Sequence, residues 1–80
     1  MVLAADYGYD KLVGGRVRRL REAKGLTQEQ LAARLQTRGC DVTRSALAKI
    51  EAGQRHIYAM ELYTLRAALG TTYEELLPRP

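Results

Sequence analysis

Residues 26–53 read LTQEQLAARLQTRGCDVTRSALAKIEAG, and the same helix-start signal occurs in them twice. Thr27 carries the short hydroxyl that caps the free N–H groups of a helix start, and Gln30, three residues on, can return a bond to the Thr27 N–H. Leu26 and Leu31 flank this cap at the spacing of a hydrophobic staple, and Leu31, Ala32 and Leu35 continue as a buried stripe. Thr43 repeats the cap, with Val42 and Leu47 as a second staple and Leu47 and Ile50 facing inward. Gly53 stands where a left-handed residue ends a helix. The stretch therefore predicts two short amphipathic helices joined by a link around Gly39.

Helix signals continue on both sides. Val13, Val17 and Leu20 fall at i, i+4 and i+7, one stripe of a first helix that Gly25 would end. A fourth helix carries Leu62, Leu65 and Leu69 before Gly70; its start is poorly marked, because neither Tyr58 nor Ala59 is a good cap. Thr72 and Glu75 predict a capping box for one short turn containing Leu76 and Leu77, which Pro78 ends. Strand alternation, internal repeats and low-complexity segments are absent from the sequence. The expectation is an all-α, compact five-helix bundle over residues 11–80. Residues 1–10 hold Val2, Leu3, Tyr7 and Tyr9 without a helical period, and are expected to form a flexible N-terminal arm.

The chain has 80 residues, 46% of them hydrophobic, enough for one small core built without Trp or Phe. The net charge of +4 fits a polyanionic partner but does not require one. Cys40 is the single cysteine and His56 the single histidine, which excludes an internal disulfide and argues against a metal site or a Ser-His-Asp triad. Cys40 is expected to act as a small apolar filler at the end of helix two. Apolar runs stay far below the ~20 residues that span a bilayer, and the N-terminus lacks the pattern of a secretion signal. A cytoplasmic protein without cofactor, membrane contact or small-molecule substrate is the expectation. No paired carboxylates, Gly-rich phosphate loop or activated nucleophile suggests an enzyme, and no RNA-binding motif with interleaved aromatics suggests an RNA reader.

LTQEQLAARL and VTRSALAKIEAG resemble the helix-turn-helix of the phage-repressor and Cro-like (XRE-type) DNA-binding regulators. Gln28, Ala32, Leu35, Val42, Leu47, Ile50, Glu51 and Gly53 match in order, and the resemblance extends over residues 12–77. It implies a lambda-repressor-like fold, with the helix-turn-helix at 27–52 and a recognition helix from Arg44 to Ala52. It further implies a transcriptional regulator that binds double-stranded DNA, nucleoid-associated when bound. In the family, a Gln at the position of Gln28 binds a phosphate, and residues at the positions of Arg21 and Glu51 commonly form a structural salt bridge. The link QTRGCD departs from the family, in which a single Gly usually stands there. Either helix two runs on to about Arg38 and stops at Gly39, or a surface loop is inserted.

Elementary geometry agrees with the resemblance. An α-helix about 10–12 Å across fits a major groove about 12 Å wide, and the small Ala32 lets a supporting helix pack closely behind it. With Leu47 and Ile50 inward, Ser45, Ala48, Lys49 and Ala52 face away, and Arg44 projects from the first turn. Arg44, Ser45 and Lys49 are the base-reading candidates, Arg44 through the bidentate contact to guanine. Gln28, Arg38, Arg55 and His56 are the phosphate candidates. A homodimer is expected, since one helix reads only a few base pairs; Tyr58, Met60, Tyr63, Tyr73 and Leu76 would host it. The rival is a protein-interaction module on the same bundle that does not read DNA.

Overall fold

A computed structural model describes residues 8–79, and five helices account for most of them. They are α1 (Gly8–Ala23), α2 (Gln28–Thr37), α3 (Arg44–Glu51), α4 (Ala59–Leu69) and α5 (Tyr73–Leu76), with no strand among the described residues. The N-terminal boundary moves. Gly8, Tyr9 and Asp10, expected in the arm, form the first turn of α1, where the Asp10 carboxylate suits the positive end of the helix dipole. The rest of the expected arm, residues 1–7, lies outside the described residues.

The core is aliphatic. Val17, Leu31, Leu35, Val42, Leu47, Ile50, Leu65, Leu69 and Leu76 are fully buried, with Val13, Ala32, Ala68 and Cys40 beside them. Cys40 is a free buried thiol, as a small filler should be. Leu76 is the correction: expected on a partner-facing surface, it is sealed in the core, because the turn at 73–76 folds back over α1. Two bonds fasten that return, from the Tyr9 hydroxyl to the Pro78 carbonyl (2.9 Å) and from Arg16 Nη1 to the Glu75 carbonyl (2.9 Å).

Both Thr starts form. Thr27 Oγ1 accepts the Gln30 N–H at 3.1 Å while Gln30 Oε1 accepts the Thr27 N–H at 2.9 Å, a complete capping box. Thr43 Oγ1 accepts the Ala46 N–H at 3.1 Å. At α5 half of the expected box is present: Thr72 accepts the Glu75 N–H, but the Glu75 carboxylate takes the Thr71 hydroxyl at 2.7 Å. The obscure start of α4 is closed by a residue outside the sequence reading, Glu61, whose Oε1 accepts the Tyr58 N–H at 3.1 Å.

The unusual link follows the first of its two alternatives. α2 runs on to Thr37 with Arg38 as its cap, and Gly39 takes φ +81°, which a side chain would oppose. The Gly39 N–H bonds the Gln36 carbonyl and the Cys40 N–H bonds the Leu35 carbonyl, both at 2.9 Å, a Schellman closure. Gln36 Nε2 then donates to the Val42 carbonyl at 3.1 Å, bracing the link from beneath. The extra residues lengthen a helix, and no loop is inserted.

Candidate nucleic-acid interface

α3 is eight residues long, too short to be stable by itself, so its pose depends on what holds its inner side. Leu47 and Ile50 supply the apolar anchor. α1 crosses α3 at Gly14, where a Cβ would overlap the Ile50 carbonyl, so the backbones touch with no side chain between them. Ala32 is buried on α2 and lets that helix close in from the other side. Gly14 was not singled out in the sequence, since a Gly inside a helical stripe carries no mark of what crosses it.

The C-terminal end of α3 is tied by a buried polar knot. Arg21 Nε donates to Glu51 Oε2 at 2.7 Å and Nη2 to Oε1 at 3.1 Å, the bidentate fork of a strong pair. Arg21 Nη1 donates to the Leu26 carbonyl at 2.8 Å, and Gln28 Nε2 donates to Glu51 Oε1 at 3.0 Å. One carboxylate thus joins α1, the start of α2 and the end of α3. The Glu51 hydrogen bond outweighs burial and raises the Arg21 pKa above its ordinary value. The knot leaves none of its described buried side-chain atoms unsatisfied.

The outer side of α3 is the opposite. Arg44, Ser45 and Lys49 are exposed, and their side chains have no hydrogen-bond or ion-pair partner among the described residues. Ala48 and Ala52 between them leave the backbone approachable. Asp41 is the one carboxylate between Gln36 and Ile50, against Arg38, Arg44 and Lys49.

The four phosphate candidates divide. Arg38 is exposed at the end of α2 without a side-chain partner among the described residues. Gln28 spends one amide hydrogen on Glu51, and its second remains available at the start of α2. Arg55 is committed within the chain: it donates to Glu61 twice, at 3.0 and 2.8 Å, donates to the His56 carbonyl at 2.7 Å, and lies 5.9 Å from the centre of the Tyr58 ring. Burial disfavours the charged Glu61, but the bonds from Arg55 and the Tyr58 N–H, with the guanidinium charge, outweigh it and hold the carboxyl below its ordinary value. His56 Nδ1 lies 2.5 Å from Asp10 Oδ2, and Asp10 Oδ1 accepts the Ile57 N–H at 3.3 Å, which pins the loop after α3 to α1. Spacings of six and 46 residues gave these pairs no sequence signal.

A short helix held from behind, capped by Thr43 and offering a small cationic face, is the geometry of a DNA-binding helix-turn-helix domain. A helix-turn-helix family profile matches residues 17–76, and the chain belongs to that family. An uncharacterized HTH-type transcriptional regulator, y4dJ, of Sinorhizobium fredii is 40% identical over 67 residues, covering 84% of this chain and 80% of the relative. The crystal structure of the restriction-modification controller protein C.AhdI from Aeromonas hydrophila superposes with a TM-score of 0.77 at 36% identity, over 88% of this chain and 94% of that one. The DNA-binding domain of BldD shares the fold, with a TM-score of 0.75 at 23% identity, over 91% of this chain and 99% of that one. The chain is an all-α DNA-binding transcriptional regulator of the helix-turn-helix family. No helix among the described residues is long and apolar enough to cross a membrane.

Proposed function

We propose that α3 enters the major groove and reads base edges with Arg44, Ser45 and Lys49, while Gln28 and Arg38 hold flanking phosphates. The observation that carries this is the contrast across α3, with Leu47, Ile50 and Glu51 engaged on the inner side and the outer cations unpaired among the described residues. Arg44 has the fork that matches guanine O6 and N7. Gln28 donates its second amide hydrogen, beside the free N–H groups at the start of α2. Arg55 and His56 act indirectly, by fixing the loop after α3 through Glu61 and Asp10, and contribute little phosphate contact of their own.

The DNA-bound form is a homodimer on two half-sites one turn apart. Its supporting observation is an exposed face beginning at α4, where Tyr58, Met60 and Tyr63 are each more than half exposed. Tyr73 extends it: Arg66 lies 5.9 Å from the Tyr63 ring and 5.2 Å from the Tyr73 ring, joining them into one patch. The same patch favours the rival reading, a protein-interaction module without DNA recognition.

Selection from a random duplex pool, followed by gel-shift titration at two salt concentrations, separates the two. Recovery of one sequence whose binding weakens steeply with salt supports DNA reading, and no binding at low salt supports the interaction module. Sedimentation of the protein with Met60→Asp and Tyr63→Glu tests the dimer, which should dissociate; an unchanged dimer places the interface elsewhere.

A further inference from the structure

The outer face of α1 carries a second basic surface that the DNA-facing side of α3 does not include. Lys11, Arg16, Arg19 and Arg79 surround an open groove of about 540 Å³, whose apolar floor is Leu12 and Pro78. No acidic residue lines it among the described residues. Its walls are held in place, Pro78 by the Tyr9 hydroxyl and Arg16 by the Glu75 carbonyl. Lys11, Arg19 and Arg79 have no side-chain hydrogen-bond or ion-pair partner among the described residues. Leu12 is 47% exposed, an unusual position for a leucine ringed by cations. Gly15 beside it presents bare backbone, with nothing within 4 Å of where a Cβ would stand.

The groove is separate from the recognition surface. Gly14 and Arg21 mark the side of α1 that meets α3, and Leu12 and Arg19 lie about 140–160° around the helix from Gly14. A duplex seated on α3 therefore leaves Leu12 and Arg19 open to a different partner. Lys11, whose backbone and stem lie against Gly53, forms the edge of the groove toward α3. The apolar floor decides the partner's chemistry. A phosphate backbone would use the cations and gain nothing from Leu12 and Pro78. A peptide with an apolar side chain between carboxylates would use both, since arginine forks pair with carboxylates in bidentate fashion and burying one apolar residue removes Leu12 from water.

We propose that this groove is a docking site for an acidic segment of a partner protein, in which an apolar residue flanked by Asp or Glu seats on Leu12 and Pro78. The site stands whether or not α3 reads DNA. It is tested by titrating ¹⁵N-labelled protein with a synthetic peptide of Asp and Glu around a central Leu. The controls are the same peptide with Ser at the centre, inorganic phosphate, and a short DNA duplex. The Leu peptide should shift the amides of Leu12, Gly15 and Arg19, and the Ser peptide should bind more weakly. Arg19→Glu and Leu12→Ser, both at exposed positions and checked for folding by circular dichroism, should each weaken Leu-peptide binding about tenfold and leave duplex affinity unchanged. Equal shifts from inorganic phosphate or the Ser peptide would reduce the groove to a general anion patch and overturn the proposal. So would displacement of the peptide by duplex together with loss of duplex affinity in Arg19→Glu, which would make it a phosphate contact, or an absence of groove shifts with the Leu peptide.

Discussion

The two sides of α3 share one eight-residue helix and have almost nothing else in common. On the inner side, Leu47 and Ile50 are sealed, the Ile50 backbone rests on Gly14, and Glu51 serves both Arg21 and Gln28. On the outer side, Arg44, Ser45 and Lys49 have exposed side chains without partners among the described residues. The difference shows how a helix too short to stand alone can present a defined surface. Beyond the Thr43 cap its ordering comes from one side, so the other needs no internal contacts and can exchange water for a ligand. Mutations on the inner side should therefore act on folding, and mutations on the outer side on binding.

The strongest test breaks the inner side. Glu51→Ala leaves the buried Arg21 guanidinium without its carboxylate, and chemical denaturation should show a loss of about 3–5 kcal/mol. A loss below that of an exposed pair would mean that water reaches the knot freely. Gly14→Ala pushes α1 away from α3, and the same measurement should register about 1–3 kcal/mol; full stability would show that the two helices can separate without consequence.

The outer side should respond differently. Arg44→Ala should leave the melting temperature unchanged and weaken the selected duplex by about 1–3 kcal/mol, with selectivity relaxed at one base pair. If it melts earlier, Arg44 has a role inside the fold and the division across α3 fails. Arg38→Ala should weaken all duplexes alike and lower the salt slope by about one unit, the mark of one lost phosphate contact.

The smallest effect concerns the support behind the surface. The Glu61 carboxyl titrates below its ordinary value in the folded chain, so the Arg55–Glu61 pair stabilises the fold fully at neutral pH. Its contribution fades as the pH falls from the ordinary carboxylate range through the lower folded-state value. Glu61→Gln should cost about 1–2 kcal/mol at neutral pH, between exposed and buried pairs, and the gap from the parent protein should close in acid. A gap that persists in acid would show that the loss does not come from the ion pair, since Gln at this position keeps an oxygen for the Tyr58 N–H.

Much of the scaffold was legible because its signals are local. Thr27 with Gln30, Thr43 with Val42 and Leu47, and Gly39 after the α2 stripe each act within a few residues of the chain. Their geometry follows wherever the chain goes next. The pairing of Arg21 with Glu51 was expected from the family resemblance, since 30 residues separate the two and no period connects them. Leu76 was misplaced because a short apolar turn carries no sign of which side it will bury. Asp10 and Gly14 were missed for the same reason, each mattering through a partner distant in sequence. Glu61 stands at the capping-box spacing from Tyr58 but was hidden because Tyr58 is not a recognisable cap residue.

By itself the sequence determined five helices, the Thr caps of α2, α3 and α5 and the outward set of α3, because hydrogen bonds to nearby backbone and a 3.6-residue period settle these locally. Tertiary structure alone decided which cations stay unpaired among the described residues. Arg44 and Arg55 are both arginines beside the same short helix, and only the packing of α4 brings Glu61 to one and leaves the other open to solvent. Charge belongs to the residue, but its availability depends on which elements fold against it.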